Sequence, residues 1–264
     1  MEIFSMKGKN VIFTGGAGHL GTPLVKTMLE YGARVAVPTR TDKFDESFDE
    51  WKKNGQLLFI KADLGTTEGV QKAFAEIYDA FGKIDVLVNG AAFYDGFGAK
   101  SIEYRLDIVD DETWLRGIDG TLHMVFRCTR EIIPYFEKQG HGNIVNFGSM
   151  YGVVAPDFAV YGDNIPWNPA SYGAGKAGVI QFSKYCASAL ASKNIRVNSI
   201  TPGCFPKVGP GFDQEFLKRL SAKAMMNRVG KAEELAGAML LLASDASSFI
   251  TGQNIIVDGG ATAW

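Results

Sequence analysis

Seven short runs of apolar and β-branched residues, separated by stretches of helical periodicity, constrain this chain more than any other feature. The runs are Val11 to Thr14, Arg34 to Val37, Leu57 to Lys61, Val86 to Asn89, Ile144 to Phe147, Val197 to Thr201 and Ile255 to Val257. Between them, Leu20, Leu24 and Met28 share one helix face, as do Val70, Phe74, Ile77 and Phe81. Strand, helix and strand repeated in this way predict parallel pairing with a crossover helix after each strand. The runs are continuous rather than alternating, as strands covered on both faces require. The expected fold is therefore α/β: one Rossmann-type doubly wound sheet of seven parallel strands with helices on both faces, in a single domain over residues 1–264. A chain of 264 residues that is 46% hydrophobic is enough to bury one such core. Residues 153–168 and 203–211 lack periodicity and carry prolines, so they read as ordered loops.

Charge and cysteine usage narrow the function classes. A formal net charge of -2 leaves no concentrated basic face for nucleic acid. The opening MEIFSMKGKN has no apolar run behind it longer than a strand, so neither a signal peptide nor a membrane span is expected, and a cytoplasmic location follows. Cys128, Cys186 and Cys204 are too far apart in sequence for a CxxC pair and read as buried thiols. His19, His123 and His141 are too scattered for a metal cluster, so no metal is expected. The expected partners are a small-molecule substrate and further copies of the chain.

The junction between the first strand and the first helix carries the first chemical signal. Gly15, Gly18 and Gly21 allow a tight turn, close approach of backbone to a pyrophosphate and contact between helix and strand. The helix start beyond it, with His19 and Leu20, offers free N–H groups and a partial positive charge to phosphate. A purely structural turn is the bland alternative. The second strand ends in Thr39 and Arg40 where an acid would bond a ribose 2'-hydroxyl. A hydroxyl followed by a guanidinium favours a 2'-phosphate, hence NADP(H) over NAD(H); a solvated Arg40 is the alternative.

Tyr172 and Lys176, four apart in a helical stretch, share one face. A phenol, with a reference pKa near ~10, works as an acid or base near neutrality only if a cation draws it down. An ammonium about 4 Å away at an effective dielectric of ~20 contributes roughly 4 kcal/mol, at most about 3 pKa units.

These segments, together with Asn89-Gly-Ala-Ala92, Gly142 to Ser149, Ile195 to Gly203, Ile250-Thr-Gly-Gln and Asp258-Gly-Gly260, resemble the short-chain dehydrogenase/reductase family in order along the whole chain. The resemblance implies a Ser149 that polarises a carbonyl, a Tyr172 that exchanges its proton, and a Lys176 that binds the nicotinamide ribose and lowers the Tyr172 pKa. It also implies coenzyme contacts from Asn89, Gly90 and Ala91, from Asp63 and Leu64 at the adenine edge, and from Pro202 and Gly203 beside the nicotinamide. Four departures stand out: the middle glycine at 18 with His19 after it, Gly90 after Asn89, Thr121 where a relay asparagine is usual, and Lys207 near the usual carboxamide-binding threonine. A Thr121 hydroxyl is expected to hold a water in place of the asparagine.

Ser149 and Tyr172 lie 23 positions apart, where about a dozen is usual in that family. The extra loop, with Asp157, Tyr161, Asp163, Asn164 and Trp167, is expected over the site's mouth, suiting a polyhydroxylated ligand. This resembles the members acting on sugars and sugar acids, gluconate 5-dehydrogenase-like proteins and those of polysaccharide-sugar biosynthesis among them. A loop that only packs a subunit contact is the alternative. The resemblance further implies a homodimer or homotetramer built on helices around 111–138 and 171–192. The function expected is interconversion of a carbonyl and a secondary alcohol on a small polar substrate. A catalytically silent dinucleotide sensor and a sugar dehydratase or epimerase with tightly held coenzyme remain the alternatives.

Overall fold

The computed structural model describes residues 2–40, 45–93, 105–162, 165 and 167–264. Seven strands, β1 (Asn10–Thr14), β2 (Arg34–Thr39), β3 (Leu57–Lys61), β4 (Val86–Asn89), β5 (Gly142–Phe147), β6 (Ile195–Pro202) and β7 (Asn254–Val257), pair in parallel in the order β3-β2-β1-β4-β5-β6-β7. Each expected run lies within one of them. The order reverses between β1 and β4, and at such a switch point the carboxyl ends of the strands open into a crevice.

The helices are α1 (Gly21–Glu30), α2 (Asp49–Lys53), α3 (Thr67–Phe81), α4 (Asp111–Ile118), α5 (Met124–Gln139), α6 (Ala170–Leu190), α7 (Gln214–Ser221) and α8 (Ala236–Ala243). Alternate strand residues feed two cores. On one face Val11, Phe13, Val86 and Val88 pack with Leu24, Val25 and Met28 of α1 and Met239 and Leu242 of α8. On the other, Ile12, Leu87 and Ile144 meet Val70, Phe74 and Ile77 of α3, Ile132 and Phe136 of α5 and Ala187 and Leu190 of α6. Burial on both faces explains why the strands read as continuous apolar runs.

Between α4 and α5 a π-helical turn, Asp119–His123, inserts an extra residue into one long helix, a feature frequent near functional sites. Asp119 on that turn forms an ion pair with Arg127 one turn into α5. Phe136 belongs to the core, whereas Phe126 is partly exposed and meets Phe182 edge to face.

Candidate active site

The end of β1 is clasped to the end of β4. The Thr14 hydroxyl donates to Val88 O and accepts from the amides of Gly90 and Ala91, each at 3.2 Å. Gly15 follows at φ +76°, and a Cβ there would come within 2.7 Å of the Gly90–Ala91 peptide. Gly21 opens α1 so close to the turn that a Cβ would sit 2.2 Å from Gly15 O. Both glycines are therefore required by close approach.

The start of α1 differs from that of its neighbours. Thr66, Asp110 and Asp213 cap α3, α4 and α7, and each of those helices carries an acid in its first turn. The first turn of α1 has neither a capping side chain nor an acid. The Thr22 amide donates to Gly18 O at 2.9 Å and Pro23 has no N–H, so the positive end of the helix dipole and the Gly21 amide are what this turn offers to an anion such as a pyrophosphate.

A cavity of about 840 Å³ opens at this point, of the size of a ligand site. Gly15, Gly18, His19, Leu20, Gly21, Gly90, Pro202 and Gly203 line it together with Ser149, Tyr172 and Lys176. Eight of the expected coenzyme contacts and the three central catalytic candidates thus share one wall system.

Ser149 follows β5 by two residues, and its hydroxyl accepts from the Tyr151 amide at 3.2 Å and is hydrogen-bonded to Tyr172. Gly152 allows the approach that makes this pairing possible, since a Cβ there would meet the Lys176–Ala177 peptide of α6 at 2.7 Å. Lys176 is buried, donates to Phe147 O at 2.7 Å and stands 5.8 Å from the Tyr172 ring centroid.

Burial lowers the Lys176 ammonium from 10.5 to about 8. The Tyr172 phenol is pushed up by burial, against which the bond to Ser149 works. This differs from the expected cation-lowered phenol. The Lys176 nitrogen is directed to the Phe147 carbonyl, and desolvation dominates both groups.

Several expected contacts lie outside the cavity wall. Thr39 ends β2, and Arg40 lies 5.9 Å over the Phe93 ring. Asp63 accepts from the Gly65 amide at 3.0 Å, and Leu64 is in the core. Asn89 is buried and donates to Asn146 at 2.8 Å, and Asn146 donates in turn to Ser183 at 2.9 Å. Ala91 packs partly buried behind the wall.

Thr121, expected to hold a relay water, is not among the residues that line the cavity. Its hydroxyl sits in the π-helical turn, fully buried, and donates to Gly117 O at 2.7 Å, away from the cavity. A free hydroxyl at that point of a helix bonds the carbonyl one turn back.

In the long loop, Tyr161 and Trp167 line the cavity as expected. Asp157 does not; it caps the turn at Phe158–Val160 and pairs with Lys223. Asp163 and Asn164 lie outside the described residues. Sequence reasoning missed Tyr151, Asn168, Phe212 and Phe216, which also form the wall. Phe216 lies in the first turn of α7 and Phe212 just before its Asp213 cap, and the two rings stack with centroids 6.1 Å apart. Tyr161 donates its hydroxyl to that of Tyr151 at 2.9 Å. No cluster of metal-binding side chains occurs among the described residues.

A family model described as enoyl-(acyl carrier protein) reductase, of the short-chain alcohol dehydrogenase type, matches residues 16–262. The chain belongs to the short-chain dehydrogenase/reductase family. A Rhizobium meliloti protein named probable galactose dehydrogenase GalD is 33% identical over 261 residues, 97% of this chain and 95% of the relative. The 3-oxoacyl-[acyl-carrier-protein] reductase FabG of Thermotoga maritima is 33% identical over 97% of this chain and 98% of its own. The crystal structure of a gluconate 5-dehydrogenase from Burkholderia cenocepacia J2315, in complex with NADP and tartrate, has a TM-score of 0.85 at 26% identity, covering 100% of this chain and 98% of the other. The oxidoreductase family and the seven-stranded fold are thereby established. No helix among the described residues is long and apolar enough to cross a membrane.

Proposed function

We propose that the protein interconverts a carbonyl and a secondary alcohol on a small, hydroxylated, sugar-like substrate, using NADP(H) in preference to NAD(H). One observation carries this reading: Ser149, Tyr172 and Lys176 line the same cavity as the uncapped, acid-free start of α1. A nicotinamide coenzyme, when bound, supplies or accepts the hydride. The remaining work is the protein's own. The Ser149 hydroxyl holds the substrate oxygen and the Tyr172 Oη passes it a proton in reduction or takes one in oxidation. Lys176 orders the far side of the phenol from its anchor on Phe147 O. Arg40, at the end of β2, meets the 2'-phosphate.

The sugar-like class draws support from the galactose and gluconate dehydrogenases among the relatives and from the paired Tyr151 and Tyr161 hydroxyls in the wall. Leu115 and Tyr185, 62% and 69% exposed on α4 and α6, suit a homodimer or homotetramer built on those helices. The test is a panel of sugars, polyols and sugar acids with each coenzyme, followed at 340 nm. Turnover of polyhydroxylated members with NADP+ ahead of NAD+ is expected. Turnover confined to apolar ketones or acyl thioesters would overturn the substrate class.

A further inference from the structure

The cavity wall carries two polar groups that neither the fold nor the proton-transfer chemistry uses. Asn168, four residues before Tyr172 on the segment leading into α6, lines the cavity with an Oδ1 that is withdrawn from solvent and has no hydrogen-bond donor. A buried, unsatisfied carboxamide oxygen costs about 1–3 kcal/mol and is rare without a reason. Rotation about its soft terminal torsion brings either end of the amide to the cavity.

Lys207, exposed in the loop after β6, lines the same cavity, and no described residue forms an ion pair with its ammonium. The loop is fixed on both sides, through Phe205 O to the His19 ring at 3.2 Å and through Cys204 O to the Gly230 amide at 2.9 Å. The described residues of the cavity wall include two lysines and no carboxylate. Asp258, against which Gly203 packs, turns its oxygens to the Gly260 and Thr262 amides and the Thr262 hydroxyl.

From these placements we infer that Lys207 and Asn168 form a recognition subsite for a hydroxylated carboxylate, Lys207 taking the carboxylate and Asn168 a substrate hydroxyl. This rests on the reading of the cavity as the site of alcohol oxidation and narrows its substrate to a polyhydroxy acid. A wall whose described residues hold no carboxylate, with an ammonium that has no ion-pair partner among them, selects an anion over its neutral counterpart. A carboxamide left without a partner selects a ligand that brings one, since the analogue lacking the hydroxyl leaves the amide unsatisfied.

The experiment compares D-gluconate with D-sorbitol, which replaces the carboxylate by a hydroxymethyl group, and with cyclohexanol, which has neither charge nor further hydroxyls. Rates with NADP+ are measured for the wild type, Lys207→Met and Asn168→Ala. The wild type should favour gluconate over sorbitol in kcat/KM by about tenfold or more. Lys207→Met should bring that ratio to within about twofold. Asn168→Ala should lower the gluconate-to-cyclohexanol ratio on the order of 10- to 100-fold.

An unchanged gluconate-to-sorbitol ratio in Lys207→Met overturns the proposal. If that variant also has a raised KM for NADP+, the anion it reads is the coenzyme pyrophosphate. An Asn168→Ala variant that slows all three alcohols alike, or none, overturns the role of Asn168. If the wild type oxidises none of the three, the activity reading falls, and thermal unfolding of the NADP+-loaded protein decides the subsite. A D-gluconate-induced rise in Tm that both variants lose supports it; no rise, or an equal rise in all three proteins, refutes it.

Discussion

Lys176→Met is expected to make the protein more stable while removing its activity. Lys176 is 3% exposed, and burial lowers its ammonium from 10.5 to about 8. At neutral pH the folded chain therefore holds a charge that the unfolded chain solvates better. A gap of about 2.5 units corresponds to roughly 3 kcal/mol of destabilisation. The sign follows from the proton count. Between the two values the unfolded state holds more protons than the native state, so the penalty is complete below about pH 8, shrinks as pH rises and vanishes above about 10.5.

Methionine fills a similar volume without the charge, but it forfeits the bond to Phe147 O, worth about 1 kcal/mol. The net gain is about 2 kcal/mol, or a rise in Tm of about 4 °C for a chain of this size. The assay is thermal unfolding of coenzyme-free wild type and variant from about pH 7 to 10, the range over which the charge penalty changes. The gap between the curves should be widest near neutrality and close towards pH 10. A variant that melts below the wild type at pH 7, or a gap that ignores pH, refutes the reasoning.

Other perturbations report on separate parts of the structure. Arg40→Ala should raise KM for NADP+ by about tenfold or more, the loss of a charge-assisted contact, while KM for NAD+ stays within about twofold; parallel titrations at 340 nm decide it. Asp85, 4% exposed at the far end of the sheet, would be raised by burial, yet bonds from the Asn10 amide, His141 and Lys83 hold its carboxyl below the usual range. Its stabilisation is present above the unfolded value near ~4 and lost as pH falls through the lower native one. Asp85→Asn should therefore cost about 1–3 kcal/mol at pH 7 in denaturant unfolding and flatten the acid limb of the stability curve.

The strands were legible because parallel strands covered on both faces can only be written as continuous apolar runs, and Val11 to Thr14 is such a run ending on the residue that clasps β4. Gly15 and Gly21 were legible because no other side chain fits their approaches. The surroundings of Thr121 were not legible for a local reason: its hydroxyl donates to Gly117 O within a π-helical turn that residue identity does not announce. The tyrosine and lysine spacing placed both groups on one face of α6 but carried no information on desolvation, which sets the direction of both pKa shifts. The substrate wall was least readable. Asn168, Tyr151 and Phe216 come from three separate segments, and only folding brings them to one cavity.

Hydride transfer by Tyr172→Phe offers the most direct check on the central claim. A single-turnover reaction with pre-bound coenzyme separates binding from chemistry, because the ring is kept and only the transferable proton is lost. NADP+ affinity should stay within about threefold of the wild type while the transfer rate falls by about 100-fold or more. A variant that binds coenzyme and transfers hydride at the wild-type rate would contradict the account.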